Sequence, residues 1–234
     1  MSAAPRPEAG FRYERKVMLR GFSRQETELW VRTHPAGFRV QHPARAVNNV
    51  YLDTPELTAF AAHVNGAERR FKLRVRWYGA PRGPVGAPVL EVKLKRGNVG
   101  TKLRFDLPPF DYDGGLDAEA VRAALASRVT DRDLAAALGR SLPVLFNRYE
   151  RHYYASADRR FRLTVDTGLR FEAVRGRRIG PLDAHDERDL LILELKYAVP
   201  DEAVADRVFQ RLPFRLGKSS KYLLGVARLG GRSL

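Results

Sequence analysis

Residues 70 to 77 read Arg70-Phe71-Lys72-Leu73-Arg74-Val75-Arg76-Trp77, alternating a cation with a large apolar side chain at every step. Strand side chains project alternately to the two sides of a sheet, so this segment offers one wholly cationic face and one wholly apolar face. Positive charges held about 7 Å apart along one line repel unless an anion lies among them. The alternation therefore predicts a strand buried on one side and facing an anionic ligand on the other.

Related segments recur along the chain: Glu14-Arg15-Lys16-Val17-Met18, Glu91-Val92-Lys93-Leu94-Lys95, Lys102-Leu103-Arg104-Phe105-Asp106, Tyr149-Glu150-Arg151, Arg162-Leu163-Thr164-Val165-Asp166 and Leu193-Glu194-Leu195-Lys196. One such segment alone is an ordinary half-buried strand with its polar side in water. Repeated, with carboxylates among the cations, the pattern predicts an α+β fold. Its centre is a closed antiparallel β-barrel with a charged interior and an apolar outside covered by helices.

At 234 residues, with strands spread from end to end, the chain reads as one domain over residues 11–226, a disordered tail at 1–10 and a C-terminal tail at 227–234. A chain of this length buries roughly 70 to 75% of its unfolded surface without covalent staples. Cysteine is absent, which excludes disulfides, thiolate metal sites and cysteine nucleophiles and is compatible with the cytoplasm, the expected location. The residues before the first strand lack the apolar core of a signal peptide, and no run approaches the length of a membrane-spanning helix. Lys and Arg number 42 against 27 Asp and Glu, a formal excess of +15 that points to a polyanionic partner. GC-rich coding inflates arginine by itself, so the placement of charge carries more weight than its sum.

The expected elements are strands at 12–20, 47–53, 68–78, 88–96, 101–107, 144–155, 160–166, 169–175 and 190–197. Helices are expected at 24–34 behind the capping box Ser23-Arg24-Gln25-Glu26, at 55–64, over one or two stretches of 116–139, and at 201–212. Residues 79–88 read as a loop, Gly97-Asn98-Val99-Gly100 as a hairpin connection, and 215–221 as a basic segment.

Lys16, Lys72, Arg74, Arg76, Lys93, Lys102, Arg104, Arg151 and Arg162 share the inward strand phase and form a candidate ring of phosphate donors, Arg as a bidentate fork and Lys as a point charge. Glu14, Glu91, Asp166 and Glu194 share that phase, and their oxygens suit Mg²⁺ or Mn²⁺ held together with substrate phosphates. Ion pairing that merely neutralises a crowded interior accounts for any one of them equally well; Glu194 is the leading metal candidate because leucines fix the opposite face of its strand. Lys218-Ser219-Ser220-Lys221 is either a clamp for a terminal phosphate or a solvated basic tail. The histidines at 34, 42, 63, 152 and 185 lack ligand spacing, and Gly97-Asn98-Val99-Gly100 lacks the Gly-Lys-Ser/Thr ending of a phosphate loop.

In order, Tyr13-Glu14-Arg15-Lys16, Tyr51-Leu52-Asp53-Thr54, Lys72 to Tyr78, Glu91-Val92-Lys93, Lys102 to Phe105, Tyr149-Glu150-Arg151, Arg162 to Asp166, Glu194-Leu195-Lys196 and Lys218 to Tyr222 resemble the VTC domain. This is the polyphosphate polymerase domain of the vacuolar transporter chaperone complex, in the triphosphate tunnel metalloenzyme group that also holds the CYTH phosphatases. The resemblance implies transfer of the γ-phosphoryl group of a nucleoside triphosphate, expected to be ATP, to polyphosphate or pyrophosphate with Mn²⁺ or Mg²⁺. It implies Lys16, Arg74, Arg76, Lys93, Lys102, Arg151 and Arg162 as tunnel phosphate ligands. Lys218, Ser220 and Lys221 would surround the reacting phosphates, with Lys72, Arg104, Lys196 and Tyr149 as further substrate contacts, and Glu194, then Glu14, Glu91 and Asp166, as metal carboxylates. The SPX-like helical domain and membrane segment that accompany the eukaryotic domain have no counterpart here, and a separate membrane partner stays open.

Two alternatives remain. A CYTH-type triphosphatase would pass the phosphoryl group to water, but its Glu-x-Glu-x-Lys start is replaced here by Tyr13-Glu14-Arg15-Lys16. A non-catalytic binder of polyphosphate or nucleic acid would use counterion release. Nucleic acid is not expected, because Phe71, Leu73, Val75 and Trp77 lie on the face opposite Arg74 and Arg76 and so are not placed to stack bases.

Overall fold

The structure is a computed structural model that describes residues 6–7, 12–96, 99–175, 180–215, 217 and 219–231. Its strands are β1 (Arg6–Pro7), β2 (Arg12–Arg20), β3 (Arg39–Asp53), β4 (Arg69–Tyr78), β5 (Gly83–Val85), β6 (Val89–Arg96), β7 (Val99–Asp106), β8 (Phe110–Tyr112), β9 (Leu142–Ala155), β10 (Arg162–Ala173), β11 (Ala184–Glu187) and β12 (Leu190–Ala198). The helices are α1 (Arg24–Arg32), α2 (Thr58–Val64), α3 (Ala118–Ala123), α4 (Arg132–Arg140), α5 (Glu202–Gln210) and α6 (Lys221–Leu229).

A ten-stranded antiparallel sheet runs β1-β7-β6-β4-β3-β9-β10-β12-β2, with β11 added beside β10. It curls into a half-barrel. The closed barrel expected from the sequence is corrected to that extent: among the described residues no ladder joins β2 to β7, and the two sides meet through the side-chain pair Lys93–Glu14 at 3.1 Å. Alternating charge specifies which face a residue takes, whereas closure depends on edge geometry that no local pattern encodes.

The apolar phase of each strand is buried under the helices. Val17, Leu163, Val165, Leu193 and Leu195 pack with Val31 of α1 and with Ala205, Val208 and Phe209 of α5. Leu73, Val75, Leu90, Val92 and Phe105 pack with Val121 and Leu125 and with Leu134 and Leu138 of α4. Each fully buried Leu or Val contributes about 1.5–3 kcal/mol by leaving water, which fixes the register of the whole charged phase on the opposite face. The expected capping box is present: Ser23 Oγ accepts from Glu26 N, and the Glu26 carboxylate accepts from Ser23 N.

Four expectations differ from the structure. The strand expected at 47–53 begins at Arg39; residues 39 to 46 are exposed, pair on one side only with β9, and carry register shifts around Pro43, which such an edge tolerates. The two strands expected at 160–166 and 169–175 are one strand, β10, with a bulge between Thr167 and Arg170 where Gly168 takes φ +58°. The expected loop 79–88 contains β5, paired with β8 beneath Trp77 and Phe146. The basic segment at 215–221 leads into an unexpected helix, α6, capped by Ser220, whose Oγ accepts from Leu223 N.

Helix α6 lies on the charged side of the sheet and covers one end of it. Tyr222, Leu224, Val226 and Leu229 pack on Tyr51, Leu145, Leu169, Phe171, Leu190 and Ile192. Gly225 permits this approach, since a Cβ there would stand 2.5 Å from Phe171 Cδ1 and 2.6 Å from Leu145 Cδ2. Asp53 ties α6 to α2: its carboxylate accepts from Thr54 N, Ala59 N and Phe60 N and from the Tyr222 hydroxyl.

Candidate functional site

Directly paired residues in neighbouring strands share a face, so the ladder traces one continuous surface. From β2 it runs through Lys16↔Glu194 and Glu14↔Lys196, then Lys196↔Arg162, then Asp166↔Arg151. It continues through Asn147↔Asn49, Asn49↔Arg76 and Tyr51↔Arg74, and ends in Arg74↔Glu91, Lys72↔Lys93, Glu91↔Arg104 and Lys93↔Lys102. The described site residues of the sheet fall on this one face. Lys218 lies outside the described residues.

The face divides into three clusters, each centred on carboxylate. Glu91 is 3% exposed and gathers Arg74 (Nη2 2.5 Å, Nε 2.8 Å), Lys102 (2.9 Å), Arg76 (3.5 Å) and Arg104 (3.7 Å). Burial pushes the Glu91 carboxyl up, but Arg74, Arg76 and Lys102 outweigh it and hold the group far below the usual carboxylate range. Arg76 also donates to Asn49 Oδ1 at 2.8 Å and to the Tyr149 hydroxyl at 3.1 Å.

Asp166, fully buried, accepts a fork from Arg151 at 2.6 and 2.7 Å and a third bond from Lys221 at 2.5 Å. Burial disfavours its charge, and the two cations more than reverse that. The Tyr149 ring is shared by this cluster, with Lys221 Nζ 4.6 Å and Arg151 Cζ 5.3 Å from its centre. Burial alone would raise the Tyr149 phenol, yet Arg151 and Arg76 bring it below its ordinary value. Beside this cluster Lys72 donates to Ser220 Oγ at 2.9 Å, so the start of α6 joins the sheet where the cations converge.

The third cluster differs in holding two carboxylates. Lys196 lies 2.8 Å from Glu194 and 3.9 Å from Glu14; Lys16 lies 3.2 Å from Glu14 and 3.7 Å from Glu194; Lys93 approaches Glu14 to 3.1 Å. Burial and the neighbouring Glu194 raise the Glu14 carboxyl, but Lys16, Lys93 and Lys196 hold it at about 2. Burial likewise opposes ionisation of Glu194, and Lys16 and Lys196 bring it well below the usual range. Lys16 is raised above its ordinary value, chiefly by Glu194.

Among the described residues no group of three or more His, Asp or Glu side chains forms a metal cage. The Glu14–Glu194 pair still fits Mg²⁺ or Mn²⁺, which bind through one or two carboxylates and complete their shells with water and substrate phosphate. Arg and Lys engage the oxygens of Glu91 and Asp166, and lysines engage those of Glu14 and Glu194; the latter pair differs in bringing two carboxylates into one cluster.

Sequence reading overlooked Asn49, although its phase in β3 matches that of Tyr51, and it overlooked α6, whose signal was a serine cap ahead of Tyr222-Leu223-Leu224. His63, assigned to surface or packing, lies near Lys72; burial first and that cation second lower its imidazole to about 4.

The fold and site together are a curled antiparallel sheet that carries its cations and carboxylates along one face. The chain belongs to the VTC domain family, whose profile matches residues 11–230. No curated protein matches the chain. Among solved structures it is similar to a putative adenylyl cyclase from Hippeastrum described as having a dominant triphosphatase activity, at 17% identity and TM-score 0.50 over 95% of this chain and 98% of that one. It is also similar to a putative adenylate cyclase from Vibrio parahaemolyticus (13% identity, TM-score 0.50, 93% and 99% covered). A third is a putative adenylate cyclase from Bacillus halodurans (11% identity, TM-score 0.51, 90% and 94% covered). At these identities the likeness establishes the fold.

Proposed function

We propose that this chain is a polyphosphate polymerase that transfers the γ-phosphoryl group of a nucleoside triphosphate to the end of an inorganic polyphosphate or pyrophosphate chain. The observation that carries the reading is the continuous register that sets Lys16, Lys72, Arg74, Arg76, Lys93, Lys102, Arg104, Arg151, Arg162 and Lys196 on one sheet face. Membership of the VTC domain family supports the same substrate class.

Phosphoryl transfer spreads charge over the moving oxygens, so fixed cations supply much of the stabilisation and no protein nucleophile is needed. The bond from the γ-phosphorus to the bridging oxygen breaks as one forms to the acceptor's terminal oxygen, and the nucleoside diphosphate leaves. Arg74, Arg76, Lys102 and Arg104 bind one part of the phosphate chain, and Arg151, Lys221, Lys72 and Ser220 another. Tyr149, whose phenol lies below its ordinary pKa, donates to a phosphate oxygen or orients Arg76. Glu194 and Glu14 would hold the divalent cation, which when bound neutralises phosphate oxygens. Glu91 and Asp166 keep their neighbouring guanidinium groups aimed and spaced.

A second reading, a triphosphatase, draws on α6. By covering one end of the charged face it leaves less room for a long chain to thread through. The Hippeastrum protein's described activity points the same way for that relative. Incubation of the purified chain with ATP, Mn²⁺ or Mg²⁺ and a pyrophosphate primer separates the readings. Long chains support the polymerase, orthophosphate alone the triphosphatase, and unchanged ATP refutes both.

A further inference from the structure

The charged face continues past its phosphate-binding residues into an aromatic rim that phosphate handling does not require. Tyr78 follows Arg76 by one same-face step on β4 and is 46% exposed. On the neighbouring strands Arg45 stands opposite Arg151 and His42 opposite Tyr153. The Arg45 guanidinium lies 5.8 Å from the centre of the Tyr78 ring and 5.9 Å from that of Tyr153, and the His42 ring meets Tyr153 edge-on at 5.8 Å. Arg45 and His42 are exposed, and the group lies at the end of the face remote from α6.

Other exposed aromatics have partners on the opposite face: Tyr13 packs on Tyr197, and Phe22 and Trp30 edge onto Phe214. Tyr78 and Tyr153 hold a flat cation instead. A guanidinium lying over a ring marks a place that suits another flat, polarisable group, and stacking of a nucleobase on such rings tolerates every base. The strand rise puts Arg76 about 7 Å and Arg74 about 14 Å inward from Tyr78, so a base at the rim sends its ribose and phosphates along the cationic row.

We propose that Tyr78, Tyr153, Arg45 and His42 form a nucleobase subsite that makes this chain prefer nucleoside triphosphates over inorganic tripolyphosphate. The proposal rests on the phosphate-row reading and names its substrate class. Larger purine rings gain more from stacking than pyrimidines, so ATP and GTP bind more tightly than CTP and UTP.

Calorimetric titration of the full chain with ATP and with tripolyphosphate, both with Mg²⁺, tests it without requiring turnover. Tyr78→Leu and Tyr153→Leu, singly and together, weaken ATP binding, the pair by about tenfold, and leave tripolyphosphate binding little changed. The Tyr78→Phe, Tyr153→Phe pair keeps the wild-type preference, which separates ring stacking from a folding defect. Equal loss for both ligands, or no loss for either, overturns the subsite and leaves the phosphate row standing. A wild-type chain that fails to bind tripolyphosphate overturns the phosphate row itself, and the subsite with it.

Discussion

Asp166→Asn isolates what a buried carboxylate does on a face built for anions. The wild-type side chain is fully buried and takes three bonds, two from Arg151 and one from Lys221. The amide keeps the volume but removes the charge and turns an N–H₂ toward the two cations. Breaking a buried ion pair in this way costs about 3–5 kcal/mol, because the surviving charges lose their compensation. For a domain of this size each kcal/mol moves Tm by about 2–4 °C, so the apo variant melts about 6–20 °C below wild type. Ligand reverses the effect. At a hundred times the wild-type Kd, tripolyphosphate stabilises the wild-type protein by about 2.7 kcal/mol. At that same concentration the variant gains more, because Arg151 and Lys221 no longer share their charge with Asp166 and bind phosphate more strongly, by about 1.5–3 kcal/mol for a charge-assisted bond gained in full. Thermal melts with and without tripolyphosphate read both quantities. An apo Tm within 2 °C of wild type, roughly 1 kcal/mol or less, refutes the buried-pair argument. A ligand shift no larger than that of wild type refutes the role of Arg151 and Lys221 as phosphate contacts.

Further outcomes follow from the same geometry. Glu194→Gln lowers metal-dependent turnover by about a hundredfold or more while circular dichroism stays native, and wild-type rates in that variant remove Glu194 from the metal role. Arg74→Ala with Arg76→Ala weakens tripolyphosphate binding by about thirtyfold or more, whereas a change in Tm alone would make both arginines structural. Gly225→Ala forces a methyl against Phe171 and Leu145 and costs about 1–3 kcal/mol; an unchanged melt would show that α6 sits farther from the sheet. Glu14, Glu91, Asp166 and Glu194 all have folded pKa values below their ordinary ones, so their stabilisation is complete above the unfolded carboxylate range and is lost as pH falls through the folded values. Tm is therefore flat from pH 7 to about 5 and drops between about pH 4.5 and 2, and a flat profile down to pH 3 contradicts the ion-pair assignments.

The sequence by itself determined which residues share a face. Arg74 and Arg76, Glu194 and Lys196, and Arg151 each stand at the phase their strand alternation predicts, because period two is a property of neighbouring residues and the apolar partners Leu73, Val75, Leu193 and Leu195 hold that phase by burial. Only the tertiary structure decided who meets whom. Four cations converge on Glu91 from the two strands that flank its own, Lys221 reaches Asp166 across 55 positions, and Lys93 reaches Glu14 across 79. Curvature also brought Tyr78 and Tyr153 to one arginine at the rim, and among the described residues no ladder joins β2 to β7. Such pairings depend on strand order, bulges and twist, which arise from contacts between distant segments, and a local alternation cannot encode them.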